Sequence, residues 1–137
     1  MPSSIVLDTN IWIDKLIFDD KHIQHIFTAI ENNTLQVYVC EKMFEELKRV
    51  LHYPQFDKFN INIEKSLEYF NQYSHYKPHP KINFPHKCKD KDDQLFIDFC
   101  YSYNINTLIS KDMHILKMKK TLNKLGIITN LPQNYFT

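Results

Sequence analysis

Glycine is almost absent from this sequence, in which Gly126 is the only one among 137 residues. Loops that hold nucleotide phosphates depend on several glycines, because their backbone amides must approach the phosphate without side chains in the way. One isolated glycine cannot build such a loop. The sequence therefore disfavours nucleotide-binding folds of the P-loop or dinucleotide type.

Cysteine and long apolar runs are also scarce. The three cysteines, Cys40, Cys88 and Cys100, lack paired spacing, which indicates free thiols in a reducing compartment. Asp8 and Asp14 interrupt the first apolar run, so the start of the chain does not resemble a leader peptide. No run approaches the roughly 20 apolar residues that span a bilayer. These features predict a cytoplasmic protein without a membrane anchor.

Neither sign of charge is in excess, since 17 basic and 16 acidic residues leave a formal net charge of +1. Such a balance provides no overall field that would attract a polyanion, so any contact with nucleic acid needs a local patch or a bound metal ion. Hydrophobic residues, in contrast, make up 43% of the sequence. That content predicts a globular protein, with residues 1–137 forming one domain around a substantial core.

Strands and helices are predicted to alternate along the chain. Short apolar runs predict strands at 4–7, 35–40, 106–110 and 127–129, with a further short strand at 81–84. Apolar residues at helical spacing predict helices at 11–18, 21–32, 41–52, 61–76, 90–103 and 113–118. This alternation favours a parallel sheet that is covered by helices on both faces.

Four acidic residues stand at related places in this pattern. Asp8 and Asp112 each follow an apolar run, Glu46 lies in the helix after the second strand, and Asp93 begins a later helix. Open α/β sheets bind ligands at the carboxyl ends of their strands. Carboxylates that meet there repel one another and cannot all stay ionised without a cation. Mg²⁺ or Mn²⁺ would relieve this repulsion, which favours metal-assisted hydrolysis of a phosphodiester.

Each acidic residue also has a simpler interpretation when it is considered alone. A carboxylate at a helix N-terminus is commonly a cap. Four residues could each be a helix or strand-end cap without any role in a site: Asp8, Asp90, Asp93 and Asp112. Helical spacing favours Glu46 only slightly over Glu45, which could pair with Arg49 one turn away. The functional interpretation therefore depends on the carboxylates meeting at one end of the sheet.

Four short motifs in a fixed order carry a resemblance to a known family. They occupy residues 5–10, 45–51, 88–96 and 108–112. They resemble the hydrophobic-Asp-Thr-Asn, Glu-Leu-x-x-Val-Leu, Cys-Arg-Asp-Pro-x-Asp-Asp and Thr-x-Asp segments of PIN-domain ribonucleases. The similarity is closest to the VapC-like toxins of bacterial toxin–antitoxin systems. Lys89 and Lys91 stand where that family usually has Arg and Pro.

This resemblance implies a three-layer α/β/α sandwich with a central, mostly parallel sheet. It also implies metal-dependent cleavage of single-stranded RNA, inhibition by a cognate antitoxin, and a homodimer, because family members often dimerise. It selects Glu46 over Glu45. The implied catalytic and metal-binding residues are Asp8, Glu46, Asp93 and Asp112, supported by Asn10, Ser110 and Asp92, the last also an alternative to Asp93 as ligand. Weaker candidates for phosphate contact are Arg49, Lys89 and Lys111, since solvated surface cations often have no such role.

Other readings of the sequence remain open at this point. A zinc site is one, because His75 and His79 have an accepted zinc spacing and His86 with Cys88 could complete four ligands. The lack of any Cys-x-x-Cys pair weighs against it. A catalytically inactive PIN-like module that binds RNA or a partner, and a housekeeping RNA-processing nuclease, are further alternatives.

Overall fold

Five parallel strands form the centre of the molecule. The computed structural model describes residues 2–136. The strands are β1 (Ser3–Leu7), β2 (Leu35–Val39), β3 (Ser74–Tyr76), β4 (Thr107–Ile109) and β5 (Ile128–Asn130), in the order β3-β2-β1-β4-β5. Along the chain, β2 and β3 are added on one side of β1, and β4 and β5 are then added on its other side. The strand order therefore reverses between β1 and β4, and open α/β sheets bind ligands at such a point.

Helices connect the strands and flank the sheet, which confirms the predicted three-layer α/β/α fold. They are α1 (Thr9–Ile13), α2 (Gln24–Glu31), α3 (Glu41–Leu51), α4 (Ile63–Tyr73), α5 (Lys91–Tyr103), α6 (Met113–Leu116) and α7 (Lys119–Lys124). A π-helical turn spans Asp14–Phe18, and 3-10 turns span Lys21–Ile23, Pro54–Phe59 and Pro132–Asn134. Among residues 2–136, none of the helices combines the length and the hydrophobicity that crossing a membrane requires.

The core lies between the sheet and its helices. Ile5, Val6 and Leu7 of β1 are all buried, as expected for a central parallel strand that is covered on both faces. Trp12 packs against Phe70 with ring centroids 4.6 Å apart and against Phe27 at 5.3 Å. These contacts fix α1, which begins directly after β1, against α2 and α4.

One predicted helix and one predicted strand differ from the structure. The helix predicted at 61–76 ends at Tyr73, and Ser74–Tyr76 pairs instead with β2 as the edge strand β3. The Lys77 amide extends this pairing by donating to the Val39 carbonyl at 2.9 Å. The strand predicted at 81–84 is irregular chain. Phe84 is held there by its buried ring and by its amide, which donates to Asp98 Oδ1 at 2.8 Å.

Candidate active site

Asp8 follows β1 and lies next to β4, at the point where the strand order reverses. Its amide donates to the Ile109 carbonyl of β4 at 3.2 Å, which continues the pairing of the two strands by one residue. Its carboxylate caps α1 by accepting the Ile11 amide at 3.2 Å. The second carboxylate oxygen accepts the Ser110 hydroxyl. Asp8 is only 2% exposed, so the topology places a nearly buried carboxylate at the end of the central strand.

Ser110 connects the ends of β1 and β4. Its side chain is completely buried, donates to Asp8 and accepts the Asp112 amide at 2.9 Å. Asp112 in turn caps α6, because its carboxylate accepts the His114 amide at 2.8 Å. Ser110 thereby links the carboxylate that follows β1 to the backbone amide of the acidic residue that follows β4.

Asp93 enters from the first turn of α5. Asp90 caps this helix by accepting the amides of Asp92 and Asp93 at 2.8 and 3.2 Å. Asp93 is 7% exposed, and its Oδ2 atom has no hydrogen-bond partner among the described residues. Asp92 is exposed and lies 3.7 Å from Arg49. Of the two neighbouring acids, Asp93 is the one whose carboxylate is buried in the site.

Glu46 enters from α3. Met43 and Leu47 on the same helix are buried, Glu46 is half-buried, and Glu45 is exposed. Glu46 borders the same pocket as Asp8, whereas Glu45 does not. Helical spacing alone left the choice between Glu45 and Glu46 open. The orientation of α3 places Glu46, and not Glu45, at the pocket.

Six acidic side chains from these elements border one pocket. Its carboxylates are Asp8, Glu46, Asp90, Asp92, Asp93 and Asp112. Asn10 lies at the exposed rim, and Thr9, Val50 and Phe96 complete the lining. The four residues that the sequence predicted as catalytic are thus brought together from two strand ends and two helices. Their catalytic role stays a prediction.

The sequence of residues 4–114 matches the family model described as PIN domain. The chain belongs to the PIN domain family. Proteins of this family are generally nucleases. The membership that the four motifs predicted is therefore confirmed.

The fold of this PIN domain is similar to that of a solved structure. The structure is titled as VapBC2 from Rickettsia felis bound to a DNA fragment from their promoter, and the TM-score is 0.63. The alignment covers 93% of this chain and 98% of that chain at 12% sequence identity. At this identity the similarity shows a shared fold. No curated protein matches the sequence.

Burial and mutual repulsion raise the pKa values of carboxyl groups in the pocket of this PIN domain. Loss of hydration raises the pKa of Asp8 to about 6, although the Ser110 hydroxyl and the Ile11 amide oppose the rise. Burial also raises the pKa of Asp93, and the adjacent Asp112 carboxyl raises it further. Burial raises the pKa of Glu46 as well. Without a cation, these carboxyl groups keep their protons to a higher pH than isolated carboxyl groups do.

The three basic residues predicted as weaker candidates for phosphate contact have different surroundings. Lys111 Nζ lies 2.5 Å from Oδ2 of the buried Asp14, so this lysine is occupied by an ion pair beside α1. Arg49 borders the acidic rim near Asp92. Lys89 lines an adjacent groove together with Lys87, Lys117, His114 and Met118. Arg49 and Lys89 therefore remain candidates next to the pocket.

Donor atoms in and beside the pocket fit a divalent metal ion. One ligand atom each from Asp90, Asp93 and His114 lie within 4.8 Å of one another. The buried, unpartnered oxygen of Asp93 needs a proton or a cation nearby, because a buried polar atom without a partner is destabilising. PIN nucleases typically use divalent metals, and carboxylate oxygens are the ligands that Mg²⁺ and Mn²⁺ prefer.

Two members of the convergent ligand group, Asp90 and His114, were not among the predicted site residues. Asp90 was interpreted only as part of a helix start. His114 lies beside the pocket and was not singled out. It stands two positions after Asp112, and the same Asp-x-His pattern occurs at Asp20 and His22 on the surface. The pattern therefore could not single out His114.

The zinc alternative finds no support in the structure. Within residues 2–136, His75, His79, His86 and Cys88 form no group of convergent ligand atoms. The His75 ring packs instead near Tyr38, the His86 ring lies near Phe84, and the Cys88 amide donates to Gln94. The long Pro-containing segment separates these residues rather than gathering them.

Proposed function

We propose that this PIN domain is a divalent-metal-dependent endoribonuclease that hydrolyses phosphodiester bonds in single-stranded RNA. The proposal depends on one observation: four carboxylates border a single pocket at the point where the strand order reverses, and one oxygen of Asp93 there is buried and unpartnered. The four are Asp8, Glu46, Asp93 and Asp112. Such a site matches the metal requirement of hydrolytic nucleases. The preference for RNA is supported by the similarity of the four motifs to PIN-domain ribonucleases.

Asp93, which belongs to the convergent group of ligand atoms, would hold Mg²⁺ or Mn²⁺ in this site. Asp8, Glu46 and Asp112 border the same pocket and would complete the coordination directly or through metal-bound water. Such an ion, when bound, lowers the pKa of a coordinated water and neutralises charge on the phosphoryl oxygens. The protein's own groups set the geometry. Ser110 donates its hydroxyl to the Asp8 carboxylate and would hold it in one orientation. The Asn10 amide, which lines the pocket, would orient Asp8 or a water molecule.

The substrate strand would approach along the groove beside the acidic pocket. Lys87, Lys89 and Lys117 line this groove and are exposed. Lysine ammonium groups bind the phosphates of a nucleic-acid backbone without regard to base sequence. The groove would therefore hold the strand while the acidic pocket receives the scissile phosphate.

We further propose that the protein is the toxin of a toxin–antitoxin pair and acts in the cytoplasm as one domain, residues 1–137. The fold shared with a chain of VapBC2 supports this role and supports a cognate antitoxin as partner. Homodimerisation stays a prediction from the resemblance. The inactive-module alternative is not favoured, because all four predicted carboxylates are present and border one pocket.

The proposed activity is tested by incubating the protein with single-stranded RNA, double-stranded RNA and single-stranded DNA in Mn²⁺, Mg²⁺ or EDTA. We expect cleavage of single-stranded RNA with either ion and none in EDTA. Asp93→Asn should slow cleavage by about 10²-fold or more, whereas the neighbouring Asp92→Asn should retain most activity because Asp92 is exposed. Cleavage in EDTA, or full activity of a folded Asp93→Asn variant, would contradict the proposal.

The toxin role is tested in growing bacteria. Induced expression of the protein should arrest growth, expression of Asp93→Asn should not, and co-expression of a cognate antitoxin that binds this domain should restore growth. Growth arrest that is equally strong with Asp93→Asn would separate toxicity from the nuclease site.

A further inference from the structure

We infer that His114 is a direct ligand of the metal ion in this PIN domain and that it gives the site a preference for a transition-metal ion such as Mn²⁺ over Mg²⁺. The inference rests on the proposed metal-dependent function and names a nitrogen ligand beside its four carboxylates. Three features of the structure support His114 as a ligand: the position of its ring, the unpartnered oxygen of Asp93, and the contrast with a second Asp-x-His pair in the same chain.

The distances around the His114 ring suit a shared ion better than a hydrogen bond. His114 Nδ1 lies 3.8 Å from Asp93 Oδ2 and 3.6 Å from Asp112 Oδ1. Both separations exceed the range of a hydrogen bond. Ligand atoms about 2.1 Å from an ion lie about 3.0 Å apart at right angles and about 4.2 Å apart on opposite sides. The observed separations fall between these two limits.

An independent observation points to a ligand at the same place. Asp93 Oδ2, the oxygen that faces the His114 ring, is buried and has no hydrogen-bond partner among residues 2–136. Asp93 itself is 7% exposed. A buried carboxylate oxygen without a partner is destabilising. An ion between Asp93 and His114 would satisfy this oxygen, and the half-exposed His114 side chain leaves a route for the ion to enter.

A second Asp-x-His pair shows that helix capping alone does not explain the arrangement. Asp20 accepts the His22 amide at 2.8 Å, as Asp112 accepts the His114 amide at 2.8 Å. In the surface pair, His22 Nδ1 lies 3.1 Å from Asp20 Oδ1, the same oxygen that accepts the His22 amide. In the pocket pair, the His114 ring stays 3.6 Å from Asp112 and faces Asp93 of another helix. Only the pocket histidine thus lies between two carboxylates.

The identity of the ligand atom determines which ion is favoured. Mg²⁺ selects oxygen ligands and keeps several waters. Imidazole nitrogen binds first-row transition ions more strongly, and histidine is the commonest metal ligand among side chains. A site that combines carboxylates with one imidazole should therefore bind Mn²⁺ more tightly than Mg²⁺.

The test measures Mn²⁺ and Mg²⁺ affinity by calorimetry for the unmodified protein, for His114→Gln and for the matched surface control His22→Gln. We expect His114→Gln to weaken Mn²⁺ binding by about tenfold or more and to change Mg²⁺ binding much less. Pulsed EPR of the bound Mn²⁺ should show coupling to imidazole ¹⁴N in the unmodified protein and in His22→Gln. The coupling should disappear in His114→Gln, whose folding is verified by circular dichroism in EDTA.

Each remaining outcome overturns the inference. Imidazole coupling that is absent from the unmodified protein, or that persists in His114→Gln, shows that His114 is not a ligand. Equal loss of Mn²⁺ and Mg²⁺ affinity shows that His114 acts only through structure. If Asp93→Asn abolishes Mn²⁺ binding while His114→Gln leaves it intact, the metal-dependent function stands without His114. If the protein binds neither ion and cleaves no RNA, the proposed function fails as well.

Discussion

Asp8 illustrates how one residue can have a structural role and a place in the site at the same time. One of its carboxylate oxygens caps α1 through the Ile11 amide, and the other accepts the Ser110 hydroxyl inside the pocket. Capping a helix and bordering the pocket are therefore compatible for this side chain, although the sequence pattern alone left the cap and the site as competing interpretations. The same holds for Asp112, which caps α6 and borders the pocket.

The raised pKa of Asp8 predicts how the stability of the metal-free protein depends on pH. Burial raises this pKa from 3.8 to about 6, so between these values the folded state binds more protons than the unfolded state. The contribution of Asp8 to the free energy of unfolding is therefore fully present below pH 3.8 and is lost as the pH rises to about 6. The loss amounts to about 3 kcal/mol. Asp8→Asn removes this dependence because its amide stays neutral.

Urea denaturation in EDTA at several pH values measures this effect. We expect Asp8→Asn to be as stable as the unmodified protein near pH 4 and more stable at pH 7 and above, by up to about 3 kcal/mol. Asn retains the ability to cap α1. Asp57→Asn, at an exposed position, is the control and should show no such gain. Lower stability of Asp8→Asn at pH 7 would show that Asp8 acts mainly as a structural acceptor.

Glu45 and Glu46 provide a matched pair for the contribution of α3. Glu46 is half-buried in the pocket, whereas its neighbour Glu45 is exposed and does not border it. We expect Glu46→Gln to lower the rate of RNA cleavage by about 10²-fold and Glu45→Gln to leave it nearly unchanged. Single-turnover cleavage assays of both variants measure the difference. Equal rates for the two variants would remove Glu46 from the site.

At the scale of elements, local sequence predicted those strands that carry their own apolar run. β1, β2, β4 and β5 were predicted to within a few residues, because each contains or adjoins a short run of apolar or β-branched residues. β3 was predicted as the end of a helix. Its three residues are mostly exposed and owe their strand conformation to pairing with Val37, Tyr38 and Val39. Pairing between distant segments leaves no local signal in so short an edge strand.

The site was predictable to the extent that its residues follow from topology. Asp8 and Asp112 follow neighbouring parallel strands, so their meeting was expected from the alternation of strands and helices. Glu46 required the family resemblance, because spacing alone barely separated it from Glu45. His114 was not predictable. Its position depends on how the first turn of α6 faces α5, which is a matter of packing between helices.

The N-terminus of α5 allows its capping and metal-binding roles to be separated. Asp90 accepts the amides of Asp92 and Asp93 and also belongs to the group of three candidate metal ligands. Asp90→Asn keeps the cap and should preserve stability in EDTA, whereas Asp90→Ala should cost about 1 kcal/mol. Both variants should weaken Mn²⁺ binding by about tenfold. Urea denaturation and calorimetry measure the two effects. Unchanged Mn²⁺ affinity in Asp90→Asn would leave Asp90 with the capping role alone.

At the scale of the whole molecule, charge is segregated rather than absent. The formal net charge is only +1, yet six carboxylates border one pocket, and Lys87, Lys89 and Lys117 line the adjacent groove. A nucleic-acid strand that lies in the groove would have its phosphates near ammonium groups and one phosphate near the acidic pocket. Net charge alone therefore does not reveal this separation of charge, because it averages over two opposite patches.

Neutralising the groove should weaken RNA binding without affecting the acidic pocket. The triple substitution Lys87→Gln, Lys89→Gln and Lys117→Gln removes three exposed cations. Each phosphate contact with a single strand contributes about 0.7 to the slope of log affinity against log salt concentration, so the slope should fall by about 2. Fluorescence anisotropy with labelled single-stranded RNA measures it, in an Asp93→Asn background that prevents cleavage.

The control for this prediction removes the same charge elsewhere. Lys21→Gln, Lys58→Gln and Lys65→Gln change three lysines that are equally exposed but lie outside the groove. If binding depended on net charge alone, both triple variants would lose affinity to the same degree. If the groove carries the strand, only the groove variant loses affinity and salt dependence. An unchanged slope in the groove variant would place the RNA path on another face of the molecule.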